Sequence, residues 1–148
     1  VSKVHIVTDS ALRLPTAVSQ KSSDTAVADQ LGITIVPLVV EILGEHFKDG
    51  IDLDHEELLL RMASERVRPR IVGPTVSDFR RVYGRLTRRT DQIISLHSSA
   101  ALSLVLREAE RATRSFMGRY DIAVVDSQTL SLGLGILVEE AARLAEES

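Results

Sequence analysis

The side chains in this sequence that could do chemistry gather into short clusters, most of them rich in hydroxyls. Thr8-Asp9-Ser10, His97-Ser98-Ser99 with Ser103, and Asp126-Ser127 with Thr129 and Ser131 each follow a short apolar run. Neutral O–H donors grouped in this way could hold a carboxylate or phosphate without a formal positive charge. A helix beginning near Ala101 would add backbone N–H groups and the positive end of its dipole. The same residue types cap helices and close strand ends, so capping is the competing expectation for each. Asp9 and Asp126 stand at turn or cap positions with no neighbouring base, which favours a structural role over acid–base work. His97 beside Ser99 or Ser103 could form a base–nucleophile pair, yet no carboxylate to orient it stands nearby in the chain. No catalytic residue is assigned; a small hydrolase or phosphotransferase built on His97 is the weakest reading.

Leu132-Gly133-Leu134-Gly135 has a Gly-x-Gly but lacks the third glycine of a dinucleotide fingerprint, and reads as close helix packing. Arg66, Arg68, Arg70, Arg80, Arg81, Arg85, Arg88 and Arg89 form a basic cluster. The net charge of -3 and an aromatic content of 3% argue for a solvated or protein-docking face there, not for nucleic acid. With no Cys, disulfides, thiolate zinc sites and cysteine nucleophiles are excluded. His5, His46, His55 and His97 lack zinc-like spacing, so neither a metal nor a cofactor is expected.

These clusters must be positioned by regular elements. Strands are expected at residues 4–8, 33–42, 92–96 and 121–125, with Pro37 marking a bulge, edge or bend inside the second. Residues 16–30 have loose helical spacing, interrupted by the polar stretch 20–25, and residues 45–50 form a short extension or hairpin arm. Asp54 with Glu57 starts a helix whose apolar face is Leu58, Leu59 and Met62, and residues 66–73 form a basic, proline-containing loop. Ser77-Asp78 opens a helix with Phe79, Val82 and Leu86 on one face. Residues 102–116 form another, led by Leu102, Val105, Leu106 and Ala109, and residues 133–145 close the chain with Ile136, Leu137, Ala141 and Leu144 inward.

Alternating strands and helices predict an α/β fold, a three-layer α/β/α domain with a mostly parallel sheet of about four to five strands. Ligands in such sheets sit outside the carboxyl ends of the strands, so the hydroxyl clusters share one rim. The 148 residues suffice for one domain, and no apolar run approaches the ~20 residues that span a bilayer. Residues 1–6 lead straight into a strand without a signal-peptide layout, which predicts a cytoplasmic location.

Four segments, read together, resemble the DegV family of bacterial fatty-acid-binding proteins. They are Ile6-Val7-Thr8-Asp9-Ser10 with Leu14-Pro15; residues 31–38 with Phe47-Lys48-Asp49-Gly50-Ile51-Asp52; Ile93-Ile94-Ser95-Leu96-His97-Ser98-Ser99 with Leu102-Ser103; and residues 125–135. The resemblance covers nearly the whole chain as the family's N-terminal domain. It implies a non-catalytic protein that holds a long-chain fatty acid, its carboxylate gripped by hydroxyls near the strand ends. It also implies a partner, a fatty-acid kinase subunit that phosphorylates the presented acid.

On that resemblance the lipid-contacting positions are Ser103 and Ser99, with Thr75, Val72, Ile71 and His97 around them. The sequence departs from the family where Ile71-Val72-Gly73-Pro74 stands for Thr-Ser-Gln-Pro, and where Ala100, Leu104 and Val105 replace Ser, Gly and Thr. Family members are about twice as long, a second domain closing the tunnel. A single domain would leave the groove open, which predicts weaker lipid binding or pairing with another chain as a homodimer. The alternative expectation is a degenerate domain that works by protein interaction without lipid.

Overall fold

The computed structural model describes residues 3–148, so Val1 and Ser2 of the opening segment lie outside the described residues. In chain order the elements are β1 (His5–Asp9), α1 (Pro15–Gln20), α2 (Asp24–Gln30), β2 (Ile33–Val36), β3 (Val39–Ile42), β4 (Glu45–Lys48), α3 (His55–Ser64), β5 (Arg70–Gly73), α4 (Val76–Leu86), β6 (Gln92–His97), α5 (Val105–Thr113), β7 (Asp121–Asp126) and α6 (Ser131–Glu147). Four parallel strands form the main sheet in the order β2-β1-β6-β7. β4, β3 and β5 form a separate antiparallel sheet of three strands.

The central strands are buried on both faces, and their two-residue period divides the core. On one side Ile6, Ile33 and Leu96 pack with α1, α2 and α6 through Ala17, Val27, Leu134 and Val138. On the other, Val7, Val36 and Ile93 pack with α4 and α5 through Phe79, Tyr83, Leu86, Val105 and Ala109. That is the three-layer arrangement expected from the alternation of elements. Period two also turns Asp9, Ser95 and His97 toward α4 and α5, alongside Val7 and Ile93.

Several expectations are corrected. Residues 33–42 are two strands in different sheets, divided at Pro37, whose missing N–H cannot continue a ladder. The expected basic loop 66–73 ends as a strand, β5, because its backbone pairs with β3. α3 is capped by Asp54 as expected, but Leu59 and Met62 are exposed and no residue of the helix is fully buried. The small sheet offers only a thin core of Val40, Ile42 and Leu53 to cover them.

α5 begins at Val105, not near Ala101, and Leu102 is exposed in the turns that precede it. In α6, Ile136, Leu137 and Leu144 face outward while Leu134, Val138, Ala142 and Ala145 are buried. The cause is Gly135. A Cβ there would collide with the Arg13 carbonyl and crowd Leu14 Cα, so a glycine here lets the helix approach the segment after β1. Its rotation follows from that contact, which also bears out the packing role expected for the Gly-x-Gly.

Candidate functional site

Because β1, β6 and β7 run parallel, their carboxyl ends bring the hydroxyl clusters to one rim. The centre of that rim is Asp9, fully buried. Its Oδ2 accepts the Ser98 backbone N–H at 2.9 Å and the Ser98 hydroxyl at 3.1 Å, and lies 3.0 Å from His97 Nδ1. Oδ1 accepts the Ala11 N–H at 3.0 Å. Burial alone would raise the Asp9 pKa, but the bond and charge of His97 and the N–H groups of Ser98 and Ala11 outweigh it. The carboxyl is held below its ordinary value.

A carboxylate can only accept, so His97 Nδ1 carries a proton. Nε2 lies 2.7 Å from the Ser95 hydroxyl, and Ser95 Oγ accepts from the Tyr83 hydroxyl at 2.8 Å. Phe79 meets the imidazole edge-on, with 5.1 Å between ring centroids. Burial pushes the Tyr83 phenol up to about 12, against the opposing hydrogen bond of Ser95. His97 therefore does have an orienting carboxylate, 88 residues away in the chain, but its partners are Ser95 and Asp9 and not Ser99 or Ser103. The signal in the sequence was a pair of polar strand ends sharing one face of adjacent strands.

Most of the rim's other oxygens are engaged. Ser10 donates to Asp49 at 2.7 Å and accepts the Leu38 N–H at 2.9 Å. Asp126 accepts the N–H groups of Gln128 and Ala100, Ser99 Oγ that of Ala101, and Ser127 donates to the Thr129 carbonyl. Thr75 is the N-cap of α4 in a capping box with Asp78, to whose carboxylate its hydroxyl donates at 2.9 Å. Ser103 differs. Its Oγ accepts the Val105 N–H at 3.3 Å and lies 3.5 Å from Ser98 Oγ, whose own proton goes to Asp9. The Ser103 proton thus has only a long, weak contact inside the protein.

Ser103 opens onto a groove of about 490 Å³ between the β5–Pro74 wall and the turns leading into α5. Of the positions expected from sequence, Ser103, Thr75, Val72 and Ile71 line it, whereas Ser99 and His97 do not. Pro74, Leu102, Leu104 and Val105 complete its apolar walls, and Gly73 keeps the wall thin where a Cβ would press on Val39. Ile71, Leu102 and Leu104 form an open lip, 54%, 66% and 71% exposed. Two charged residues not singled out as groove residues in the sequence also line it. Glu108 accepts the Val76 N–H at 3.2 Å and pairs with Arg111, and Arg70 leans toward Glu41 at 3.8 Å. Among the described residues no group of His, Asp and Glu could hold a metal ion, and no helix is long and apolar enough to cross a membrane.

The family model described as "Uncharacterised protein, DegV family" matches residues 3–148. The chain belongs to the DegV family. A DegV domain-containing protein, YejH, from Lactococcus lactis is 36% identical over 143 residues, which cover 97% of this chain and 47% of that protein. A DegV-family protein from Thermus thermophilus, described as fatty-acid binding, superposes with a TM-score of 0.84 at 32% identity, covering 99% of this chain and 48% of the other. DegV from Bacillus subtilis, described as a fatty-acid-binding protein, shares the fold with a TM-score of 0.87 at 24% identity, covering 100% of this chain and 49% of the other. The chain thus spans about half the length of the relatives it matches. In this DegV-family chain Ile71 and Val72 form part of the apolar wall of the groove.

Proposed function

We propose that the groove binds the acyl chain of a long-chain fatty acid, with its head group at the Ser103 hydroxyl. The observation that carries this reading is the coincidence of an apolar groove with a hydroxyl in its lining, that of Ser103, whose proton lacks a good internal acceptor. A volume of about 490 Å³ is of the size that small-molecule pockets have. Each methylene buried against Ile71, Val72, Leu102 and Leu104 contributes about 0.8 kcal/mol. Thr75 lines the groove as a second polar contact, while Ser99 and His97 act from behind by holding the rim in shape. The fatty-acid binding described for the Thermus thermophilus relative supports the reading.

In this proposal the chain does no chemistry itself and carries the acid to a separate kinase subunit in the cytoplasm. The buried order Tyr83–Ser95–His97–Asp9 resembles a nucleophile–base–acid series, but it is sealed in the core, where no substrate could reach Ser95. The exposed lip of Ile71, Leu102 and Leu104 favours a second reading, in which this face meets another protein chain, a second copy included.

The test is extraction of lipid from the purified protein with mass spectrometry, together with titration of a fluorescent fatty acid. Co-purified lipid or saturable binding is expected, and the absence of both would remove the carrier reading. A dimer seen by light scattering that ignores added lipid would favour the second.

A further inference from the structure

The layer formed by α4 and α5 carries a charge opposite to that of the chain as a whole. Residues 71–120 hold nine arginines, no lysine and four acidic residues, whereas the other 98 hold nine cations and 17 carboxylates. Folding turns this bias into a surface. Phe79, Tyr83 and Leu86 turn one side of α4 inward, and Leu106, Ala109 and Ala112 do the same for α5. The outward stripes are Arg81, Arg85 and Arg88, the last in the turn that continues α4, and Arg107, Arg111 and Arg114. Each is spaced i, i+4, i+7, and all six residues are exposed. The Val76 N–H at the start of α4 donates to Glu108 in the first turn of α5 at 3.2 Å. Tyr83 meets Phe116, just past the end of α5, with 6.0 Å between ring centroids. The helices therefore run side by side in one direction, and the two stripes are neighbours on one face. Arg81 pairs with Asp78 and Arg111 with Glu108, while the other four have no ion pair among the described residues.

We propose that this double arginine stripe is a docking face for a partner protein that presents carboxylates along a helix. Parallel stripes one helix apart leave a furrow between them, and acidic side chains repeating at the same spacing on a third helix would meet guanidiniums on both sides. The exclusive use of arginine favours a protein. Its planar fork takes a carboxylate through two N–H bonds, and arginine is enriched at protein interfaces where lysine is depleted. A bilayer is disfavoured because neither α4 nor α5 exposes a large apolar side chain that could insert beneath the head groups. Nucleic acid is disfavoured because the aromatic residues of α4, Phe79 and Tyr83, are buried and leave no ring for a base to stack on. The face does not depend on the fatty-acid reading, but it adjoins the groove: Val105 and Glu108 of α5 line it, so a docked partner would sit beside the opening.

The experiment is a fluorescence-anisotropy titration of a labelled, alanine-based helical peptide of about 20 residues, its glutamates repeating at i, i+4 and i+7, with the full chain. A peptide of the same composition with its glutamates spread round the helix is the comparison. Vesicles of phosphatidylglycerol and phosphatidylcholine and a DNA duplex are the other arms. The striped peptide should bind at least about fivefold more tightly than the scattered one, and about tenfold more weakly when salt rises from about 50 to about 300 mM. Arg85→Glu and Arg114→Glu take one unpaired, exposed residue from each stripe, so both variants should keep the parent Tm. Each should weaken binding by about fivefold or more, while Lys21→Glu, the same change of charge at the end of α1 on the opposite layer, should cost less than about twofold. Equal binding of the two peptides, equal losses in all three variants, or no binding of any probe would overturn the docking face. Tighter binding of the vesicles or the duplex than of the striped peptide would overturn the protein partner.

Discussion

Asp9 gathers four donors at a fully buried carboxylate, and the consequences of that arrangement can be measured. Asp9→Ala would strand the His97 Nδ1–H, the Ser98 hydroxyl and two backbone N–H groups inside the core. Urea unfolding should show a loss of about 3–5 kcal/mol, the range for removing one partner of a buried ionic pair. The folded-state pKa of Asp9 is depressed, so its contribution is present above the unfolded value of 3.8 and disappears as pH falls through the folded one. Acid titration of stability should therefore steepen below about pH 4. Asp78 is shifted in the same direction, but its exposure leaves it a minor part. Tyr83 works at the other end. Its raised pKa stabilises the fold fully below 10.0 and is lost as pH climbs toward about 12, so Tyr83→Phe should flatten the alkaline limb of the same curve. At the groove, Ser103→Ala should weaken fatty-acid binding by about 1–3 kcal/mol in the fluorescence titration, because the buried head group loses its donor.

Elements are held where backbone meets backbone. Gly135 and Gly133 look alike in the sequence, yet only Gly135 faces backbone, at Arg13 and Leu14; Gly133 faces the movable side chain of Thr129. Intrinsic helix propensity would favour alanine at either by about 1 kcal/mol. Thermal unfolding should nevertheless find Gly135→Ala destabilised by about 1–3 kcal/mol or more, since α6 must lift from the rim segment, and Gly133→Ala by less, since only the Thr129 side chain must turn away. α6 also fastens α1, for Glu139 accepts both the N–H and the hydroxyl of Thr16 at 2.8 and 3.0 Å. The polar strand ends and the helix order were legible in the sequence because periodicity and capping chemistry are local. The start of α5 and the inward face of α6 were not, since they follow from where the turns at 99–104 and the Arg13 carbonyl lie in space.

Among the described residues several large apolar side chains stay exposed, and three of them border the groove. The lip of Ile71, Leu102 and Leu104 adds nothing to the core, so Leu102→Ser with Leu104→Ser should leave the urea midpoint within about 0.5 kcal/mol of the parent. The same double change should lower fatty-acid affinity by about 1–2 kcal/mol, because the acyl chain loses part of its wall. Ligand at 100 times its Kd should add about 2.7 kcal/mol to the parent's stability, readable as a rise in Tm.

By itself the sequence determined the class of fold and the rim on which chemistry could collect, because strand period and cap residues are properties of short segments. It also carried the family resemblance, through runs whose order and spacing survive in one dimension. Tertiary structure alone decided that Asp9 orients His97, that Ser99 and Thr75 turn the backbone and bind it, and that Ile71-Val72 wall a groove ending at Glu108. Those facts depend on which strands are neighbours and which face each side chain takes. Pairing across 88 residues leaves no periodic trace in the chain that makes it.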